Sequence, residues 1–166
     1  MRSEFMDAVL SAVSTLGNLG AIWIAAALLF VSTRKYRVTG LTMLAALLAG
    51  AIIGNVILKP LVARTRPCDV NMAVELLLPR PKDFSFPSGH TLSSFAAATV
   101  IFLRDRRLGT AAVITACVMS FSRLYLYVHY PSDVLAGALI GVAVGVCTSV
   151  AADKLAAKTP FLQPGT

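Results

Sequence analysis

The sequence has 166 residues, of which 57% are hydrophobic and only 14% are charged, and its mean hydropathy is +0.75. Soluble domains carry about a quarter charged residues, so this composition excludes a water-soluble globule and indicates an integral membrane protein. The net charge of +7 does not indicate a nucleic-acid partner, because the basic residues fall in short clusters between apolar runs, as they do in membrane loops. We expect one domain over residues 1–166.

Five apolar segments predict an all-α fold, a polytopic bundle of about five membrane-spanning helices. The segments cover residues 8–31, 40–58, 88–103, 108–128 and 134–152. A helix needs roughly 20 residues to cross the hydrocarbon core, so the third segment is slightly short unless Phe84 and Phe86 extend it. Polar residues interrupt the first half of the first segment. Residues 4–17 could therefore form an interfacial helix that leads into a span beginning near Gly17.

The charges in the loops predict an orientation. If all five segments cross the membrane, residues 32–39, residues 104–107 and the C-terminus share one side, which is rich in arginine and lysine. The positive-inside rule makes this side cytoplasmic. The N-terminus, residues 59–87 and the turn at 129–133 then face the other side, which also carries basic residues that need a separate explanation.

Three polar clusters stand at the ends of predicted spans, all on the same predicted side. They are Lys59–Pro67, Pro87–His90 and Ser122–Asp133. Because the second to fifth segments end or begin there, we expect these clusters to form one polar pocket at the membrane boundary.

The cations of these clusters indicate a bound anion. Lys59, Arg66 and Arg123 lie at or inside the ends of apolar segments, where an uncompensated charge costs several kcal/mol. Each side chain alone could snorkel to the interface. Three cations on one face favour a shared anionic partner, and since Asp133 alone cannot neutralise them, we expect that partner to be an exogenous anion.

The sequence Pro87-Ser88-Gly89-His90 predicts a helix start suited to phosphate. Ser88 is a typical N-cap, and the free N–H groups of a first helical turn attract anions. Gly89 lets the backbone approach a ligand closely. A simple capped helix start explains Pro87 and Ser88 but not His90, one of only two histidines in the chain.

The second histidine, His129, lies four residues before Asp133, and Pro131 between them fits the first position of the last helix. Asp133 could simply cap that helix. It could instead bond one nitrogen of His129, fix the tautomer and leave the other nitrogen free as a nucleophile. Two histidines close to several cations favour catalysis.

The three clusters together resemble the three-part signature of the type 2 phosphatidic acid phosphatase superfamily. The matching residues are Lys59-x6-Arg66-Pro67, Pro87-Ser88-Gly89-His90 and Ser122-Arg123-x5-His129-x3-Asp133, in that order. The resemblance implies a chloroperoxidase-like phosphatase core in a bacterial plasma membrane protein. Members of the family usually have six spans, whereas five are counted here.

The resemblance also implies the role of each residue. His129 would form a phosphohistidine, Asp133 would orient His129, and His90 would protonate the leaving oxygen. The phosphate-binding residues would be Lys59, Arg66, Ser88, Gly89 and Arg123. The family works without a metal, so no metal and no cofactor are expected.

The substrate is expected to be a lipid phosphate that enters from the bilayer, with the site on the extracytoplasmic side. Undecaprenyl diphosphate is the first expectation, and phosphatidylglycerol phosphate or phosphatidate is the alternative. Vanadate-dependent haloperoxidases share the signature but are soluble and larger. A non-catalytic lipid-binding or transport protein would not need both histidines.

Overall fold

The computed structural model describes residues 3–158, and all regular structure within that range is helical. The helices are α1 (Glu4–Leu16), α2 (Ala21–Ser32), α3 (Arg37–Ala51), α4 (Lys59–Val62), α5 (Pro67–Val70), α6 (Gly89–Arg104), α7 (Arg106–Tyr125) and α8 (Pro131–Lys158). Short 3₁₀ turns precede α2 and α3, and a π-helical segment, Ile52–Leu58, joins α3 to α4. The prediction of a cytoplasmic C-terminus falls on residues 159–166, which lie outside the described residues.

The predicted all-α membrane bundle is confirmed, with a span count close to that expected. Three helical stretches are long and apolar enough to cross a membrane, and a fourth span results if α1 and α2 form one bent crossing. The remaining helix, α6, has 16 residues and a length of about 24 Å, less than the roughly 30 Å hydrocarbon core. The sequence predicted this short segment.

The first apolar segment consists of two helices rather than one. α1 ends at Leu16, a 3₁₀ turn spans Asn18–Gly20, and the axes of the two helices differ by 51°. Leu19 and Gly20 have positive φ values of 53° and 70°, a conformation that breaks the helix. This division agrees with the alternative that separates residues 4–17 from the span that follows.

α6 is the central helix of the bundle, and small residues let its neighbours approach closely. Ala96, Ala97 and Ala98 are fully buried, and α8 packs on the same helix through glycines spaced four residues apart. A Cβ atom on Gly141 would lie only 2.6 Å from the carbonyl oxygen of Leu92. Close packing of this kind is how apolar helices associate in a membrane, where the hydrophobic effect does not drive association.

The bundle has two polar ends. At one end, the Tyr36 hydroxyl donates to Asp105 over 3.2 Å and Arg104 pairs with Asp153. At the other end lie the C-terminal ends of α1, α4 and α7 and the N-terminal ends of α6 and α8. The long connection before α6 is held there by Cys68, which is fully buried against Leu126 and Val128. The three polar clusters predicted from sequence meet at this second end.

Candidate active site

A cavity of about 1060 Å³ opens at the second end of the bundle. Six of the eight predicted site residues line it, namely Lys59, Arg66, Gly89, His90, Arg123 and His129. The other two, Ser88 and Asp133, are fully buried. The sequence therefore identified half of the polar residues that line this cavity, including all three of its cations.

His129 and Asp133 face each other across one turn of chain. The Nδ1 atom of His129 lies 3.5 Å from Oδ2 of Asp133, and its Nε2 atom lies 3.2 Å from Nη1 of Arg66. A guanidinium can only donate, so Nε2 of His129 is the acceptor and the ring hydrogen belongs on Nδ1, toward Asp133. This tautomer directs the lone pair of Nε2 toward the cations.

Burial lowers the pKa of the His129 imidazole to about 4; Asp133 opposes this shift, and the charges of Arg66 and Arg123 add to it. At neutral pH the ring is therefore uncharged, which is the form that can act as a nucleophile.

Three further groups hold the Asp133 carboxylate in place. Arg64 donates to Oδ1 over 2.7 Å, and Oδ2 accepts from the Ser85 hydroxyl at 2.5 Å and from the Tyr130 backbone N–H at 2.9 Å. The Arg64 guanidinium also lies 4.0 Å from the centre of the Tyr130 ring. Asp133 is thus fixed by bonds that do not involve His129.

Asp83 pairs with two of the predicted phosphate-binding cations. Its carboxylate bonds Nζ of Lys59, and its Oδ1 atom accepts from Nη2 of Arg66 over 2.7 Å. From the sequence, Asp133 was the only carboxylate expected near these cations, and this expectation was wrong. Burial raises the pKa of Asp83, but the bonds to Lys59 and Arg66 outweigh that effect and lower the pKa to about 2. The carboxylate is therefore ionised at neutral pH.

Arg66 is also fixed by the backbone. Its side chain is only 3% exposed and donates to the carbonyl oxygens of Asp83 at 2.8 Å and Val128 at 2.7 Å. The guanidinium is thus rigidly placed beside His129, whatever the charge on Asp83.

Arg123 has few partners for a buried cation. It is buried, its Nη1 atom donates to the Ser14 hydroxyl, and its Nε atom has no hydrogen-bond partner. In the described part of the chain no carboxylate lies within ion-pair distance of it. A buried charge left in this state is costly, so an anion in the cavity would stabilise it.

His90 lies at the start of α6 and bonds the N-terminal helix. Its Nε2 atom lies 3.1 Å from the carbonyl oxygen of Ser14 and 3.2 Å from Oδ1 of Asn18. His90 was predicted from the sequence to be a site residue, but its contacts with Ser14 and Asn18 were not.

Ser88 and Gly89 differ in their access to the cavity. The Ser88 hydroxyl caps α6 by accepting from Thr91, and the Ser88 backbone N–H donates to the carbonyl oxygen of Asp133. Ser88 therefore connects α6 to α8 behind the cavity wall, and its phosphate-binding role stays a prediction. Gly89 does line the cavity.

Beyond the cations, the cavity wall becomes apolar. Asn55, in the π-helical segment, and Asn18 contribute amides, and the wall then continues along α2 and α3 with Ile24, Leu44 and Leu48. Leu48 is exposed on the outer surface of the bundle, which faces lipid in a membrane. The cavity thus joins a cationic end to an apolar, bilayer-facing side.

Several residues of the site were missed by the sequence argument, including Asp83, Ser85 and Asn18. Arg64 was noted only as a loop charge, although its position two residues before Arg66 could have placed it in the same site. Ser85 and Asp83 belong to the segment directly before Pro87, and only the folded loop shows that they turn inward.

Comparison with known proteins agrees with this architecture. A model of the PAP2 superfamily matches residues 39–156, which is more than half of the chain. The chain belongs to the PAP2 superfamily. The predicted resemblance is therefore confirmed, and the match includes every residue of the three-part signature.

Two PAP2 relatives and one solved structure indicate the closeness of the match. The chain is 34% identical over 121 residues to an undecaprenyl-diphosphatase of Sulfolobus acidocaldarius, covering 72% of this chain and 58% of the relative. It is 33% identical over 128 residues to undecaprenyl-diphosphatase BcrC of Bacillus subtilis, covering 75% and 61%. The crystal structure of a transmembrane PAP2 type phosphatidylglycerolphosphate phosphatase from Bacillus subtilis superposes with a TM-score of 0.70 at 24% identity, covering 93% of this chain and 80% of that one.

The chain spans about three fifths of the length of these two curated relatives. The structural likeness, at its lower identity, shows the shared PAP2 fold alone.

Proposed function

We propose that this PAP2 protein is a lipid phosphatase that works through a phosphohistidine on His129. The observation that supports this most is the orientation of that ring. Its Nδ1 atom faces Asp133, and its Nε2 atom faces the cavity beside Arg66. This is the geometry of an activated nucleophile next to a group that stabilises the phosphoryl oxygens.

The proposed reaction has two displacements at phosphorus. First, Nε2 of His129 attacks, a P–N bond forms, the P–O bond to the lipid breaks, and His90 gives a proton to the leaving oxygen. Then His90 takes a proton from water, the water oxygen attacks phosphorus, and the P–N bond breaks to release phosphate. Asp133 stabilises the positive charge on His129 in the intermediate. Lys59, Arg66, Arg123, Ser88 and Gly89 would bind the phosphoryl oxygens.

The shape of the cavity supports a lipid substrate. Its cationic end would bind the phosphate, and its apolar wall on α2 and α3 leads to the bilayer-facing surface. The proposed substrate is undecaprenyl diphosphate, as the names of the two relatives suggest.

A lipid phosphate monoester, such as phosphatidate or phosphatidylglycerol phosphate, is the second candidate. The described cavity lining has only three cations, which would all surround the transferred phosphoryl group. Its further polar residues include the amides Asn18 and Asn55 and the hydroxyl residues Thr15 and Ser93. A second phosphate would have to share these cations, whereas the uncharged diacylglycerol that phosphatidate releases would not.

Phosphate release by the purified protein in detergent tests both candidates. The panel contains polyprenyl diphosphate, phosphatidate and phosphatidylglycerol phosphate, each with and without EDTA, and His129→Ala provides the blank. We expect release that EDTA does not reduce and that is fastest with the diphosphate. Faster release from a monoester would favour the second candidate, and no release above the blank would contradict the proposed function.

The proposal places the site on the extracytoplasmic side of the plasma membrane. A single cysteine introduced into the 104–107 loop should not react with an impermeant thiol reagent added to intact cells, in a background lacking Cys117 and Cys147. The same cysteine should react after lysis. Labelling in intact cells would invert the proposed orientation.

A further inference from the structure

The N-terminal helix reaches two of the proposed functional residues although it lies outside the family match. The PAP2 match begins at residue 39, yet Ser14 and Asn18 contact His90, and Ser14 also contacts Arg123. Ser14 is fully buried by these contacts. The segment before the matched region is therefore part of the wall of the site.

The contacts determine which nitrogen of His90 carries the hydrogen. A backbone carbonyl oxygen can only accept, so Nε2 of His90 donates to the oxygen of Ser14, 3.1 Å away. The Oδ1 atom of Asn18, 3.2 Å away, lies close enough to share this hydrogen. The Nδ1 atom is then the ring nitrogen available for proton transfer. In His129 the roles of the two nitrogens are reversed, because Asp133 faces its Nδ1 atom.

The turn between α1 and α2 packs directly against the imidazole. A Cβ atom on Gly17 would lie 2.7 Å from Cδ2 of His90 and 2.4 Å from Sδ of Met119, so any larger residue there would displace these side chains. The left-handed conformations of Leu19 and Gly20 then bend the chain into α2. The backbone of this turn leaves the His90 ring little freedom to rotate.

We propose that the turn formed by residues 14–20 positions His90 for protonation of the leaving oxygen, with Asn18 as a positioning residue. This inference rests on the proposed function. In the proposed step the P–O bond breaks and its electron pair stays on the leaving oxygen. The doubly protonated His90 ring gives its Nδ1 proton to that oxygen and is left neutral, with its hydrogen on Nε2. The two acceptors on Nε2 hold the plane of the ring and stabilise its protonated form.

The test compares two leaving groups in the full-length Asn18→Ala variant. A lipid phosphate monoester such as phosphatidate releases an alkoxide and needs a proton, whereas 4-nitrophenyl phosphate releases a stable phenolate and does not. We expect kcat/KM to fall at least tenfold for the lipid and less than threefold for 4-nitrophenyl phosphate. The ratio of the two values does not depend on the fraction of folded protein, and Asn18→Gln, which keeps an amide oxygen, should restore part of it.

Tyr125→Phe is the matched control. It removes the hydrogen bond of 2.6 Å between the Tyr125 hydroxyl and Asp7, which also holds α1 against α7. The bonds of His90 to Ser14 and Asn18 do not involve this hydroxyl. We expect its substrate ratio to equal that of the wild type. An unchanged ratio in Asn18→Ala, or an equal change in Tyr125→Phe, would overturn the inference. Absence of wild-type turnover on both substrates would instead refute the proposed function, and this inference with it.

Discussion

Replacement of Asp83 by asparagine should tighten the binding of phosphate. The Asp83 carboxylate pairs with Lys59 and Arg66, two cations proposed to bind the substrate. A phosphate must therefore share these cations with a resident anion. The Asp83→Asn variant removes that charge, while backbone carbonyl oxygens, including that of Val128, still hold the Arg66 guanidinium in place.

The size of the effect follows from the pKa of Asp83. A lowering from 3.8 to about 2 corresponds to roughly 2 kcal/mol of net attraction between the carboxylate and its surroundings. The side chain of Asp83 is 52% exposed, so solvent screening leaves about 1 kcal/mol, or about fivefold in affinity. Because the carboxylate ionises well below pH 5, Asp83 stays charged from pH 5 to pH 8, and the effect should persist over that range.

The assay is competitive inhibition by inorganic phosphate in detergent. The inhibition constant should fall about fivefold in Asp83→Asn. Asp69→Asn is the control, since Asp69 pairs with Arg80 at 2.8 Å in the same loop but does not line the cavity. A weaker inhibition in Asp83→Asn would refute this reasoning and would mean that Asp83 mainly positions the cations.

Three other outcomes test the structure. Arg64→Ala should lower kcat by 10- to 100-fold with less than a threefold change in KM, because Arg64 holds Asp133 without lining the cavity. Steady-state kinetics on the lipid substrate measures both constants. Gly141→Ala should lower the thermal unfolding midpoint in detergent by several degrees, because the added Cβ atom meets the α6 backbone. The control, Ala143→Val on the exposed face of α8, should leave the midpoint unchanged. NMR of histidine-labelled protein should show that the His129 imidazole is neutral at pH 6 and charged only below about pH 4. Titration of this ring near pH 6.5 would contradict its burial.

The sequence was sufficient to predict the bundle and the cationic lining of the cavity. A polar residue at the end of an apolar run is conspicuous, and residues at span ends that share one side must lie near one another. Lys59, Arg66, Arg123 and His129 were found in this way. Asp83 was not, because its position depends on how the long connection before α6 folds back, and no periodic pattern describes such a loop.

The N-terminal contacts could not be predicted for a different reason. Ser14 and Asn18 interrupt an apolar segment, which indicated a break near Gly17 but not the direction of the chain after it. The 51° bend is produced by left-handed residues, and one of them is Leu19, a residue type that does not signal this conformation. The close packing of α6 and α8 did have a signal, since Gly137, Gly141 and Gly145 recur every four residues on α8.

The most direct test of the central claim is to trap the phosphoenzyme. Protein is mixed for milliseconds with lipid substrate labelled with ³²P at the terminal phosphate, quenched in alkali and digested for mass spectrometry. The account predicts an acid-labile, alkali-stable phosphate on the peptide that contains His129, and none in His129→Ala. Wild-type turnover by His129→Ala, or label on any other residue, would contradict it.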